Sequence, residues 1–143
     1  MINKINTIKT FKVLHILFHI YKMPVTEITS ESQFNEFLHN TNNIHTATHL
    51  FVDFYAEWCG PCKRVAPFIH KLSERYPSVA FLKVDVDGCD SLAAKYEVRA
   101  MPTFLVFTVG NSKASKTIVG ADTKKIEDEL MMLTTTIKPS EDF

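Results

Sequence analysis

The stretch from Leu50 to Leu72 constrains the fold more than any other. An apolar run, Leu50-Phe51-Val52-Asp53-Phe54-Tyr55, is followed closely by Trp58-Cys59-Gly60-Pro61-Cys62-Lys63 and then by Val65, Phe68, Ile69 and Leu72. The first run is short, aromatic and β-branched and reads as a buried strand, whereas the later apolar residues recur at helical spacing. The two cysteines therefore stand where a strand hands over to a helix. Pro61 has a preset φ and no N–H, which suits a first helical turn. That turn carries unpaired backbone N–H groups and the positive end of the helix dipole. A thiolate at Cys59 is stabilised there. Because the thiolate is the nucleophile, lowering its pKa from about 8.5 towards neutrality raises the reactive fraction at cellular pH. The chemistry this pattern offers is thiol–disulfide exchange.

The rest of the chain alternates strand and helix signals, which predicts an α/β fold of five strands and four helices, with helices on both faces of a central sheet. Val25 to Ile28 reads as a first strand. Ser30-x-x-Gln33 has the spacing of a capping box, opening a helix that turns Phe34, Phe37 and Leu38 to the core. Asn40 to His49 is the loop into the Leu50–Tyr55 strand. A helix from Pro61 to about Tyr76 follows, with Pro67 removing one donor and kinking its axis. Ala80 to Val86 is the next strand and Ser91 to Tyr96 a short helix. Thr103 to Phe107 turns at Gly110-Asn111 into Lys116 to Val119, and Asp122 or Thr123 caps a last helix through Leu133.

At 143 residues, 45% of them hydrophobic, the chain can bury a core without disulfide staples. Three cysteines are too few for a secreted disulfide scaffold and fit a reducing compartment with one catalytic pair. The net charge of zero conceals an asymmetry. Lys4, Lys9, Lys12 and Lys22 precede Glu27 without any acid, leaving 12 basic against 16 acidic residues from there on. No basic stripe suited to nucleic acid results, and no nucleic-acid partner is expected.

Residues 1–23 form a basic extension, residues 24–136 the folded domain and residues 137–143 a tail. In a helix, Phe11 to Lys22 would gather Lys12, His15, His19 and Lys22 on one side and Val13, Leu14, Ile16, Leu17 and Ile20 on another. Its apolar stretch is too short to span a membrane. Three readings stay open: a targeting peptide, weakened by the absence of Arg and Ser; a helix contacting a membrane surface or partner; and an extension without a role, with Met23 as an alternative start.

Further residues sharpen the picture. Besides the complete Trp58-Cys59-Gly60-Pro61-Cys62 motif, Asp53 stands six residues before the first cysteine. Lys83 lies in Phe81-Leu82-Lys83-Val84-Asp85-Val86-Asp87, and Met101-Pro102-Thr103 and Gly120-Ala121 follow. With these residues at these spacings, the chain resembles the thioredoxin family, nearest to its eukaryotic cytosolic type, over roughly Pro24 to Thr134. The resemblance implies the thioredoxin fold, a central five-stranded mixed sheet flanked by four helices, and a protein-disulfide reductase of monomeric, cytoplasmic type, or mitochondrial or otherwise organellar if residues 1–23 are a transit peptide. It implies no bound cofactor. The dithiol would be restored in trans by thioredoxin reductase, an NADPH-dependent flavoprotein, and the other partners would be proteins with disulfides.

Cys59, ahead of the helix and more exposed, is assigned as nucleophile, and Cys62, one turn in and deeper, as the resolving thiol. Asp53 interrupts an apolar strand, so burial should raise its pKa. The family likeness makes it general base for Cys62, with Lys83 tempering that rise; a carboxylate paired with a lysine is the plainer alternative. The likeness also implies a cis bond before Pro102 and a shallow apolar substrate groove formed by Trp58, Gly60, Pro61, Ala100, Met101, Pro102 and Gly120. Ala100 replaces a common glycine and Tyr55 a common tryptophan, which adjusts substrate fit. Cys89 has Tyr96 and Ala100 at the positions where a partner cysteine would stand, so it is read as a spare, partly exposed thiol. A zinc site is not expected, since Cys59 and Cys62 lack two further ligands at suitable spacing and His45 and His49 fall in a loop. A disulfide isomerase or oxidase on the same fold, and a docking or chaperone module without turnover, are the rivals.

Overall fold

The computed structural model describes residues 25–44 and 46–135, so the readings made for residues 1–23, the 137–143 tail and His45 lie outside the described residues. The elements are β1 (Thr26–Ile28), α1 (Glu31–His39), β2 (His49–Tyr55), α2 (Gly60–Arg75), β3 (Val79–Asp85), α3 (Asp90–Lys95), β4 (Thr103–Thr108), β5 (Lys116–Val119) and α4 (Thr123–Thr135). The strands form one sheet in the order β1-β3-β2-β4-β5. β3 runs parallel to both β1 and β2, while β4 is antiparallel to β2 and to β5. Parallel neighbours need a long crossover, which α2 supplies between β2 and β3.

Alternation along the strands divides the core into two layers. Leu50, Val52 and Phe54 of β2 join Leu82, Val84, Leu105 and Phe107 beneath α1 and α3, which contribute Phe34, Leu38, Leu92 and Ala93. Phe51, Phe81, Phe104 and Val106 point the other way, against Val65, Ile69 and Leu72 of α2 and Ile126 and Leu130 of α4. Rings lock both layers: Phe34 meets Phe107 edge-on at 5.5 Å, and Phe51 stacks on Phe104 at 5.3 Å. Each such fully buried ring contributes roughly 1.5–3 kcal/mol of transfer free energy.

Local chemistry sets the element ends. Ser30 caps α1 through its hydroxyl, which accepts from Gln33 N at 3.1 Å. The reciprocal half of the expected capping box is displaced, because the Gln33 side chain reaches Thr29 N at 2.9 Å instead of the Ser30 amide. Phe37 is half-buried at the edge of the α1 layer. Asp122 is the cap of α4, accepting from Lys125 N at 3.1 Å. α2 continues through Pro67 from Gly60 to Arg75, and Arg75 pairs with Glu127 of α4. Strand limits differ from the sequence reading by a residue: β2 begins at His49 and β3 spans Val79 to Asp85.

Candidate functional site

The site lies at the C-terminal end of β2, where the chain leaves the sheet and enters α2. Cys59 is the N-cap of that helix, Gly60 and Pro61 open its first turn, and Cys59 and Cys62 are joined by a disulfide with Cα atoms 5.3 Å apart. The Cys59 sulfur accepts a hydrogen bond from Cys62 N at 3.2 Å. This bond distinguishes the two sulfurs: the helix start directs an amide dipole at Cys59, and the same donor would stabilise a thiolate there. The expected contrast in exposure is absent. Both cysteines are 5% exposed, because they form one buried cluster with Ala56 on which Tyr55, Val86 and Met101 pack.

Asp53 is buried in the middle of β2, and by alternation it shares the face of Phe51, the face on which α2 lies. Burial pushes its carboxyl up to about 7, partly offset by the positive charge of Lys83, its register partner on β3. Its Oδ1 has no hydrogen-bond partner among the described residues. Lys83 does stand beside Asp53 in the sheet, yet its ion pair is with Glu27 of β1, at 3.4 Å. A carboxyl held near neutrality by desolvation can take up and release a proton at cellular pH.

The segment packed against the disulfide lies just before β4. The Met101–Pro102 peptide bond is cis, Thr103 Oγ1 donates to Ala100 O at 2.6 Å, and Gly120 N donates to Pro102 O at 2.9 Å. Gly120 has φ +93°, a left-handed conformation that a side chain would strain. Of the residues assigned to the groove, Trp58, Gly60, Pro61 and Ala100 are exposed, Met101 and Gly120 half-buried and Pro102 buried. Trp58 is 68% exposed and is held by a hydrogen bond from its indole Nε1 to Asp87 Oδ2 at 2.9 Å. Sequence reasoning missed Asp87 and Glu27. Asp87 closes the quoted Phe81–Asp87 run, whose parallel pairing with β2 carries it to the cysteine end of the sheet; Glu27 is the β1 register partner of Lys83.

Cys89 is a correction: it is buried rather than partly exposed, with its thiol donating to Ile28 O at 3.6 Å, because the start of α3 packs on β1. Its pKa is raised by that burial. Among the described residues no group of three or more His, Cys, Asp or Glu side chains could hold a metal ion. Nor is any described helix long and apolar enough to cross a membrane.

These features coincide with those of known proteins. The sequence model of the Thioredoxin family matches residues 25–132. Thioredoxin from Equus caballus is 45% identical over 103 residues, 72% of this chain and 92% of that protein. Thioredoxin from Homo sapiens is 43% identical over the same length. Among solved structures, Plasmodium falciparum thioredoxin superposes with a TM-score of 0.67 at 34% identity, covering 75% of this chain and 97% of its own. Nicotiana alata thioredoxin gives 0.68 at 33%, covering 76% and 91%. The match spans the sheet, all four described helices and the strand-to-helix junction that holds the disulfide, and on this ground the chain belongs to the thioredoxin family of thiol–disulfide oxidoreductases, with the Cys59–Cys62 pair as its protein-disulfide reductase couple.

Proposed function

We propose that Cys59 carries the attack on substrate disulfides, that Cys62 resolves the adduct and that Asp53 is the base for Cys62. The observation that carries this reading is the hydrogen bond from Cys62 N to the Cys59 sulfur at the mouth of α2. The Cys59 thiolate forms a bond to one substrate sulfur while the substrate S–S bond breaks, and the departing thiolate takes a proton from water. Cys62 then gives its proton to Asp53 and attacks Cys59 Sγ. The mixed disulfide breaks and the internal Cys59–Cys62 bond forms; the second substrate sulfur leaves as a thiolate that takes a proton from water, and Asp53 gives up to water the proton it received. Two electrons have passed from the dithiol to the substrate. The same helical turn holds both sulfurs, so this second step is intramolecular and outruns any dissolved thiol.

The groove of Trp58, Gly60, Pro61, Ala100, Met101, Pro102 and Gly120 receives an extended substrate segment, the Met101 backbone pairing with it in the manner of an added strand. An NADPH-dependent flavoprotein, thioredoxin reductase, returns the disulfide to the dithiol in trans, and this protein itself binds no cofactor. A reducing compartment, the cytosol first, suits such a cycle.

The test is turnover of an insulin-like disulfide substrate. Cys59→Ser should abolish reduction, and Asp53→Asn should slow the resolving step with the fold intact. Full activity in Cys59→Ser would overturn the nucleophile assignment, and an unchanged resolving rate across neutral pH in Asp53→Asn would remove the base.

A further inference from the structure

The sheet places three charged side chains in one transverse row. Glu27 of β1, Lys83 of β3 and Asp53 of β2 are successive register partners and, by alternation, lie on the face that α2 covers. The row passes from half-exposed to buried: the Glu27 side chain is 50% exposed and that of Lys83 39%, whereas Asp53 is buried. Lys83 therefore has two carboxylates within the row and one ammonium to offer. It takes the outer one, with Nζ 3.4 Å from Glu27 Oε2 and no ion pair to Asp53 among the described residues.

Tyr55 fixes that choice. Its hydroxyl donates to Glu27 Oε1 at 3.0 Å, and its ring lies beneath the Lys83 ammonium, 5.4 Å from the centroid. Tyr55 is two residues beyond Asp53 on the same face and also packs on the Ala56, Cys59 and Cys62 cluster. Glu27, Lys83 and Tyr55 thus form a closed triangle on the outer side of the buried carboxyl. We propose that Glu27 is a positioning residue: anchored by Tyr55, it tethers the Lys83 ammonium away from Asp53 and leaves that carboxyl free to exchange a proton with Cys62.

This inference rests on the reading of Asp53 as base. Its first consequence, however, is a property of Asp53 that can be measured without turnover. At the Asp53 end of that face the titratable groups are Lys83 and Asp85 from β3, Glu27 from β1, Tyr55 from β2, Glu57 in the loop beyond it and the two cysteines at the start of α2; β4 presents Phe104, while His49 at the other end of β2 and the Lys116–Glu129 pair of β5 and α4 complete it. Of these, Lys83 is the charge that acts on Asp53. In the disulfide form the cysteines carry no proton, so the carboxyl can be followed by carbon NMR without coupled thiols.

The experiment titrates Asp53 in the oxidised full chain for the wild type, Glu27→Gln, Lys83→Gln and the double variant. Glu27→Gln keeps an acceptor for Tyr55 and removes the charge, so Lys83 turns its full field on Asp53. The midpoint should fall by about 0.5 pH unit, the size expected of one partly exposed charge at this range. In the Lys83→Gln background most of that fall should vanish, a non-additivity that assigns the effect to the tether. An unchanged midpoint in Glu27→Gln, or an equal fall with and without Lys83, overturns the proposal. The pH profile of mixed-disulfide resolution in the same variants separates the two ideas. A profile that follows the midpoint supports both; a midpoint that moves under a static profile keeps the tether and defeats the base.

Discussion

Replacing Asp53 by Asn should stabilise the oxidised protein at alkaline pH and lose that advantage in acid. Burial lifts the Asp53 carboxyl from an ordinary 3.8 to about 7. Below roughly pH 4 the group is protonated in both the folded and the unfolded chain, and its charge costs nothing. Between the two values the unfolded chain releases a proton that the folded chain retains, so stability falls as pH rises. Above about 7 the folded chain holds a buried carboxylate and the whole cost is present. At about 1.4 kcal/mol per pH unit, the span corresponds to about 4 kcal/mol. Asparagine cannot ionise, so the stability difference between Asp53→Asn and wild type should grow by about 3 to 4 kcal/mol between pH 4 and pH 8.5. Any constant cost of burying an amide drops out of that change, as do groups common to both proteins. Urea unfolding at several pH values, with the slope m required to stay equal, reads the quantity directly. A difference that varies by less than about 1 kcal/mol over this range would show the carboxyl to be solvated and would remove the physical basis for a base near neutrality.

Three other outcomes follow from single contacts. Cys62→Ser should attack once and stop, so a stable mixed disulfide on Cys59 should accumulate on non-reducing gels and in intact-mass spectra; continued turnover would contradict the resolving role. Asp87→Ala should free the Trp58 indole from its 2.9 Å anchor, lowering the fluorescence anisotropy of the chain's one tryptophan and raising KM for a protein substrate more than it changes kcat. Unchanged anisotropy would mean that other contacts hold the ring. Asp122→Ala removes the side-chain acceptor for Lys125 N and should cost about 1 kcal/mol, seen as a lower urea midpoint at constant m; an unmoved midpoint would show that the cap adds nothing to α4.

Elements with strong local signals were legible in the residues. β2 announced itself by an apolar run broken only at Asp53 because it is central and covered on both faces, and α2 by Val65, Ile69 and Leu72 at helical spacing. Ser30 was readable as a cap, and the last cap was narrowed to Asp122 or Thr123, because capping is decided within a turn; the structure selects Asp122. Cys89 was misjudged for the opposite reason: whether the residue that precedes α3 is pressed onto β1 depends on a strand far earlier in the chain. The burial of Cys59 escaped in the same way, since Val86 and Met101, which pack on its cluster, belong to other parts of the fold.

Residues 50–63 by themselves place two thiols at a strand-to-helix junction, because strand alternation, proline's fixed φ and helix-start chemistry act over a few positions. Which charges surround Asp53 was a tertiary decision. Parallel strands have no hairpin to set their pairing, and only the burial of two opposite layers aligns Glu27 with Lys83 and Lys83 with Asp53. A slip of one residue would turn each of these groups to the other face, so the electrostatics of the site are a property of the packed sheet.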